Sequence, residues 1–269
     1  MDNRAIGIFD SGLGGLTAAK ALRQLMPDEN IVYFSDSGRM PYGPRSARQL
    51  CSFCRQDMDL LRDCGVKAII AACGTISSNA ASVIESYELP SIGVMEPGVR
   101  AMSEIEGSGA LGIIATAASI RDGGFHRALQ ALCPGREIVD VPCPEFASLI
   151  EHGHTSKCDP LLTAAIEEYL SPLKDMELDG LMLGCTHYGI IADCIDDFLG
   201  GKVRLVSASE SSAVQMKEYL LSKGMEGCGG QLRFLTSGDV PEFAEFASSL
   251  LGLDSISVEQ VPIMEVTEE

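Results

Sequence analysis

Short apolar runs alternate with helical patterns along nearly the whole chain. The runs at residues 5–9, 31–34, 68–72, 92–95, 111–115, 138–141, 180–183 and 203–206 are brief and mostly free of charge. Runs of that length without polar alternation suit strands buried on both faces. Between most of them lie stretches such as 16–25, 47–63, 160–170 and 211–221, whose apolar residues recur every three or four positions. That is the period of a helix with one buried face. Strand and helix in alternation predict an α/β fold, in which a parallel sheet is covered by helices on both sides.

Two of the apolar runs end in the same way. One reads Ala-Ile-Ile-Ala-Ala-Cys73-Gly-Thr and the other Gly-Leu-Met-Leu-Gly-Cys185-Thr-His, with the cysteines 112 residues apart. Matching strand-end cysteines predict two similar parallel-sheet domains facing each other across a cleft. Ligand chemistry in open α/β sheets gathers beyond the carboxyl ends of the strands, which is where both thiols fall.

The chain has 269 residues, 46% of them hydrophobic and 22% charged, enough for one large or two modest globular domains. Its formal charge of −18 argues against a nucleic-acid partner, because phosphate binding needs clustered Lys and Arg. An anionic ligand would meet an unfavourable overall field and would need local donors such as backbone N–H groups. The ten cysteines are scattered rather than arranged as a disulfide framework. No stretch approaches about 20 uninterrupted apolar residues, and the N-terminus carries no secretory pattern. The expectation is a cytoplasmic protein with reduced thiols and no membrane partner.

Phe9-Asp10-Ser11-Gly12-Leu13-Gly14-Gly15-Leu16 places a glycine-rich turn between a strand and a helix. Thr17 stands where a dinucleotide fingerprint would have its third glycine, so the turn suits an anion or simply a tight bend. Asp36 through Pro41-Tyr42-Gly43 puts polar chemistry after a second strand, although Asp36 could also cap a turn and Tyr42 could be half-buried packing. A buried cysteine is usually inert packing; a matched pair, one followed by Thr186 and His187, points to reactive thiols. Cys51-x-x-Cys54 recurs with Met58 and Leu61 at helical spacing and is expected to face a core rather than bind metal. His126, His152 and His154 are expected on the surface or in loops. No metal-ligand set is recognisable, and no lysine stands in a recognisable Schiff-base context, so the expectation is that no cofactor is used.

Taken together, these segments resemble the glutamate racemases of the aspartate/glutamate racemase family along nearly the whole chain. The matching segments run from Ile6–Leu16 through Asp36 to Gly43, Cys73-x-Thr75, Gly93 to Gly98, Gly112 to Thr116, and Leu183-Gly-Cys185-Thr186-His187-Tyr188. Phe234 to Asp239 resembles the closing segment of the family. The resemblance implies one domain from residues 1–97 plus 208–269, a second from 98–207, and an active site between them. It implies Cys73 and Cys185 as the two acid/bases, assisted by Asp10 and His187. Substrate would be held by Ser11, Tyr42, Gly43, Gly74, Thr75 and Thr186. Asp36, Thr116 and Glu151 match further positions near the site. A homodimer that supplies D-glutamate for peptidoglycan is implied in the same way.

The chain departs from the family pattern at two places. Cys73-Gly74-Thr75-Ile76 stands where the family usually has Cys-Asn-Thr-Ala, and Ser207-Ala208 where it has Asp-Ser. The first removes an amide beside Cys73, so the sequence predicts weaker glutamate binding unless another group such as Ser77 or Ser78 fills the gap. Gly74→Asn is then expected to lower KM, provided residue 74 is not at positive φ.

Inversion at an α-carbon requires proton removal from one face and delivery to the other, which a thiolate and a thiol on opposite sides accomplish. Two other readings fit the sequence. The substrate could be aspartate or another acidic amino acid, or the chain could be a two-lobed small-molecule binding protein.

Overall fold

The computed structural model describes residues 1–262. The expected range 208–269 extends onto residues 263–269, which lie outside the described residues. Among the described residues are ten strands: β1 (Ile6–Asp10), β2 (Ile31–Ser35), β3 (Ala68–Ala71), β4 (Ser91–Gly93), β5 (Ala110–Ala115), β6 (Ile138–Pro142), β7 (Leu178–Leu183), β8 (Arg204–Ser207), β9 (Leu232–Thr236) and β10 (Val258–Gln260). They form two wholly parallel sheets, one in the order β10-β9-β2-β1-β3-β4 and the other β6-β5-β7-β8. The protein therefore consists of two parallel-sheet α/β domains.

The inner strands are buried on both faces, which explains why β1, β2, β3 and β5 read as nearly unbroken apolar runs. In the first, Ile6, Ile8 and Tyr33 pack against the helices Leu16–Leu25, Ala208–Lys223 and Val240–Leu251. Phe9, Val32 and Phe34 point the other way, against Ala47–Asp63. Cys54, Met58 and Leu61 are fully buried on that helix and Cys51 is partly covered, as their spacing predicts. In the second sheet, Ile114, Leu181 and Leu183 meet Pro160–Lys174 on one face, and Leu111, Ile113 and Met182 meet Met95–Ser103 and Gly124–Leu132 on the other.

Local signals set the helix starts. Ser46 and Gln49 form a reciprocal capping box at the start of Ala47–Asp63, and Asp159 accepts from Leu161 and Leu162 N–H ahead of Pro160. Ser207 caps Ala208–Lys223, which gives the Ser207-Ala208 departure a structural role.

Several expected boundaries move. The run 92–95 is not all strand: β4 ends at Gly93 and Met95 opens a helix. The helix expected over 160–170 continues to Lys174 through Pro172, and that over 211–221 begins at Ala208. β9 and β10 escaped the pattern. Arg233 interrupts the apolar run of β9, and β10 is a three-residue edge strand with exposed Glu259 and Gln260. His126 lies on the partly exposed face of a helix, paired with Asp140 at 2.8 Å.

Among the described residues, no helix is long and apolar enough to cross a membrane.

Candidate functional site

The strand register brings the two cysteines to facing edges. Asp10 pairs with Ser35 and Phe9 with Ala71, so Asp10 and Cys73 leave the first sheet at its carboxyl edge. Ile114 pairs with Leu183 in the second sheet, so Thr116 and Cys185 leave side by side there. Between these edges lies a cavity of about 370 Å³. Asp10, Ser11, Tyr42, Gly43, Cys73, Gly74, Thr75, Thr116, Glu151, Cys185, Thr186 and His187 all line it. Met40, Pro41, Ser119, Pro144, Ser148 and Gly184 also line it and were not singled out in the sequence. Met40 and Pro41 lie within the Asp36–Gly43 segment and Gly184 directly precedes Cys185, but nothing in the sequence pattern marks Ser119, Pro144 or Ser148.

The glycine-rich turn is pinned rather than loose. Tyr33 and Ser35 hydroxyls both donate to the Gly12 carbonyl, at 3.0 and 2.9 Å, and Gly15 N–H donates to the Asp10 carboxylate at 2.9 Å. A Cβ on Gly14 would lie 2.4 Å from both His187 Nδ1 and Thr186 Oγ1, so only glycine permits this approach of one domain to the other. Thr17, at the position that breaks the dinucleotide pattern, has its hydroxyl 3.0 Å from the Thr186 carbonyl and 2.9 Å from Ser209 Oγ.

The two thiols sit in different surroundings. Cys73 is buried, and its Sγ donates to Ser11 Oγ at 3.4 Å. Burial, and then the charge of Asp10, push its thiol up to about 12. Burial also raises the Asp10 carboxyl, against the opposing charge of His187 and the Gly15 and Ser11 N–H bonds. Cys185 is half-buried, with His187 Nδ1 3.6 Å from its Sγ. The other ring nitrogen, Nε2, lies 2.8 Å from Glu151 Oε1. Burial alone would lower the imidazole, but hydrogen bonds to Cys185 and Glu151 carry it well above its ordinary value. The result is a Glu151–His187–Cys185 chain on one wall of the cavity and a Ser11–Cys73 pair beside Asp10 on the other.

Asp36 does not line the cavity. Its carboxylate is buried behind Tyr42, accepting from the Tyr42 hydroxyl, from Arg39 Nε and from the Ser237 hydroxyl at 2.8 Å. Arg39 also donates to Asp57 at 2.6 Å, and its guanidinium lies 4.2 Å from the centre of the Phe53 ring. Tyr42 is fully packed in this cluster rather than half-buried, and it carries Gly43 to the cavity wall. Asp57 lies on a helix that the sequence marks only as core. Thr116 caps the helix Ala117–Asp122 by accepting from Ser119 N–H at 3.3 Å.

Position 74 corrects a sequence-based expectation. Gly74 is not among the positive-φ glycines, yet a Cβ there would lie 2.7 Å from the Gly184 carbonyl oxygen. An asparagine has no space in this arrangement, so Gly74→Asn does not simply restore a contact. Ser77 and Ser78 do not replace the amide either. Ser77 Oγ donates to the Ala71 carbonyl and accepts from Val94 N–H, and Ser78 Oγ donates to the Thr75 carbonyl.

Among the described residues, no lysine or arginine lines the cavity. An anionic ligand there would rest on backbone N–H groups, the Ser and Thr hydroxyls and His187. Nor is any group of three or more His, Cys, Asp or Glu among the described residues arranged to hold a metal ion.

The same architecture recurs in known proteins. Residues 17–216 match the Asp/Glu/Hydantoin racemase family. A glutamate racemase of Lactococcus lactis is 33% identical, with both chains covered in full. A glutamate racemase isoform from Bacillus anthracis superposes with a TM-score of 0.90 at 32% identity, covering 98% of this chain and 99% of the other. A Francisella tularensis glutamate racemase in complex with D-glutamate gives 0.87 at 33% identity, covering 97% and 98%. With its two facing thiols between paired α/β sheets, and with similarity that runs the length of the chain, this protein belongs to the Asp/Glu/Hydantoin racemase family, among the glutamate racemases, and is an isomerase.

Proposed function

We propose that this protein interconverts L- and D-glutamate by a two-base mechanism in which Cys73 and Cys185 act on opposite faces of the α-carbon. The observation that carries this reading is the pair of cysteines on opposing sheet edges of one cavity, each with its own proton-handling neighbour. One thiolate takes the α-proton and the opposite thiol gives its proton to the other face. The thiol and thiolate have then exchanged places, and the reverse reaction restores them. Asp10 stands beside Cys73 to receive and return its proton. His187, held by Glu151, does the same for Cys185.

The carbanion formed beside an ionised carboxylate is stabilised by preorganised donors. Ser11, Thr75, Thr186 and the backbone N–H groups around Gly43 and Gly74 supply them in a cavity without Lys or Arg among its described lining residues. Burial and the charge of Asp10, which push Cys73 up to about 12, favour its protonated form, the form that gives a proton to the far more basic carbanion. The proposal extends to a domain division at 1–97 plus 208–269 and 98–207. It also extends to a cytoplasmic homodimer whose D-glutamate supplies peptidoglycan.

The test is incubation with L-glutamate in deuterated water, following the α-proton by NMR and optical activity by circular dichroism, with aspartate in parallel. Exchange of the glutamate α-proton with loss of optical activity is expected. Binding without exchange would identify a carrier instead, and exchange of aspartate alone would move the substrate.

A further inference from the structure

We propose that Gly74 is a positioning residue: its bare Cα is the stop on which the two sheets close, and it sets the separation across which Cys73 and Cys185 face one another. The proposal rests on the two-thiol reading above, and it concerns the residue where this chain departs from the family pattern. Gly74 immediately follows Cys73, and Gly184 immediately precedes Cys185. These two neighbours of the reactive residues touch across the cleft. A Cβ on Gly74 would lie 2.7 Å from the Gly184 carbonyl oxygen, about 0.7 Å short of the 3.4 Å at which ordinary contact begins.

Each side of this contact is tied to its own sheet. Gly184 N–H donates to the Ile114 carbonyl at 2.8 Å, and a Cβ at 184 would already lie 3.0 Å from the Ile114 carbonyl oxygen and 3.2 Å from the Ala115 Cβ. The residue that carries the opposing oxygen is therefore held close against the second sheet. On the other side, Ser77 N–H donates to the Cys73 carbonyl at 2.9 Å, while Ser77 Oγ is bonded to Ala71 and Val94 at 3.1 and 2.9 Å. These bonds tie the first turn after Cys73 to the first sheet. A side chain at 74 would thus be relieved by moving the domains apart, and the thiols would separate with them. Proton transfer is sensitive to that distance, since a misplacement of about 1 Å can cost roughly a hundredfold in rate.

The experiment compares the native enzyme with Gly74→Ala and with Gly189→Ala. Gly189 follows His187 in the neighbouring turn and is not at positive φ, and a methyl added there would meet nothing closer than Ser207 Oγ at 3.6 Å, so it controls for extra bulk near the site. Folding is checked by circular dichroism and thermal melting. For Gly74→Ala we expect kcat to fall about 10- to 100-fold in both directions with a smaller change in KM, and for Gly189→Ala native kinetics. Bifunctional thiol reagents of graded span, with the Cys73–Cys185 bridge identified by peptide mass spectrometry, read the separation without any turnover. The span of most efficient bridging should lengthen in Gly74→Ala alone. An unchanged span overturns the proposal whether or not glutamate is the substrate, and so does native kcat in an active Gly74→Ala enzyme. A native enzyme inactive on glutamate counts against the proposed function, while the bridging result still decides the role of Gly74.

Discussion

Glu151→Gln removes one negative charge from the cavity wall and preserves shape, which makes it the cleanest probe of the Glu151–His187–Cys185 chain. The Glu151 carboxylate is 2.8 Å from His187 Nε2, and both side chains are largely shielded from water, at 15% and 8% exposure. A hydrogen bond between charged partners contributes about 1.5–3 kcal/mol, against about 1 kcal/mol for a neutral one. The neutral amide gives up roughly 0.5–2 kcal/mol of that support for the imidazolium, so His187 falls back toward its ordinary value. We expect kcat to fall about 10- to 100-fold in both directions, since every turnover uses Cys185, with KM changed less.

The same substitution has a stability signature whose sign follows from linkage. His187 is raised in the folded protein above its ordinary value because Cys185 and Glu151 outweigh burial. Its contribution is therefore full below the unfolded value of about 6.5 and is lost as pH rises through the folded value. The Tm difference between native and Glu151→Gln protein should be largest near pH 6 and shrink as pH rises through the folded His187 value. Circular dichroism of glutamate racemisation and thermal melts across a pH series provide the readouts. A variant with kcat within twofold of native and a pH-independent Tm difference would show that Glu151 does not act through His187.

Cys73→Ser and Cys185→Ser should each abolish racemisation in both directions while leaving the fold intact, because serine is close in shape and its hydroxyl is a far weaker acid at neutral pH. A folded variant that still racemises both enantiomers at near-native rate would return that cysteine to a packing role. Asp57, whose carboxyl is raised by burial and then by neighbouring Asp36, should tolerate Asp57→Asn. Asp57→Leu should instead cost about 1–3 kcal/mol in denaturant unfolding and raise KM through displacement of Tyr42 and Gly43, because Arg39, still paired with Asp36, and the Tyr42 hydroxyl lose a buried acceptor. Native stability in Asp57→Leu would mean that the cluster does not depend on it.

Local pattern carried much of this protein. Alternating apolar runs and helical stripes are written into neighbouring residues, so the α/β class, eight of the strand regions and the core-facing Cys54, Met58 and Leu61 were legible without coordinates. The strand-end positions of Cys73 and Cys185, and the glycine-rich turn after Asp10, were legible for the same reason. Tertiary structure decided everything that depends on which strand lies beside which. It placed β9 between β2 and β10, a neighbourhood that a run interrupted by Arg233 does not announce. It brought Glu151 to His187, drew Asp57 from a core helix to Arg39 and Tyr42, and turned Asp36 away from the cavity. It also set Gly74 against Gly184, which changed a missing amide into a point of close contact. Periodicity records which face of an element is buried, whereas the partner on that face is chosen by register and packing between segments far apart in the chain.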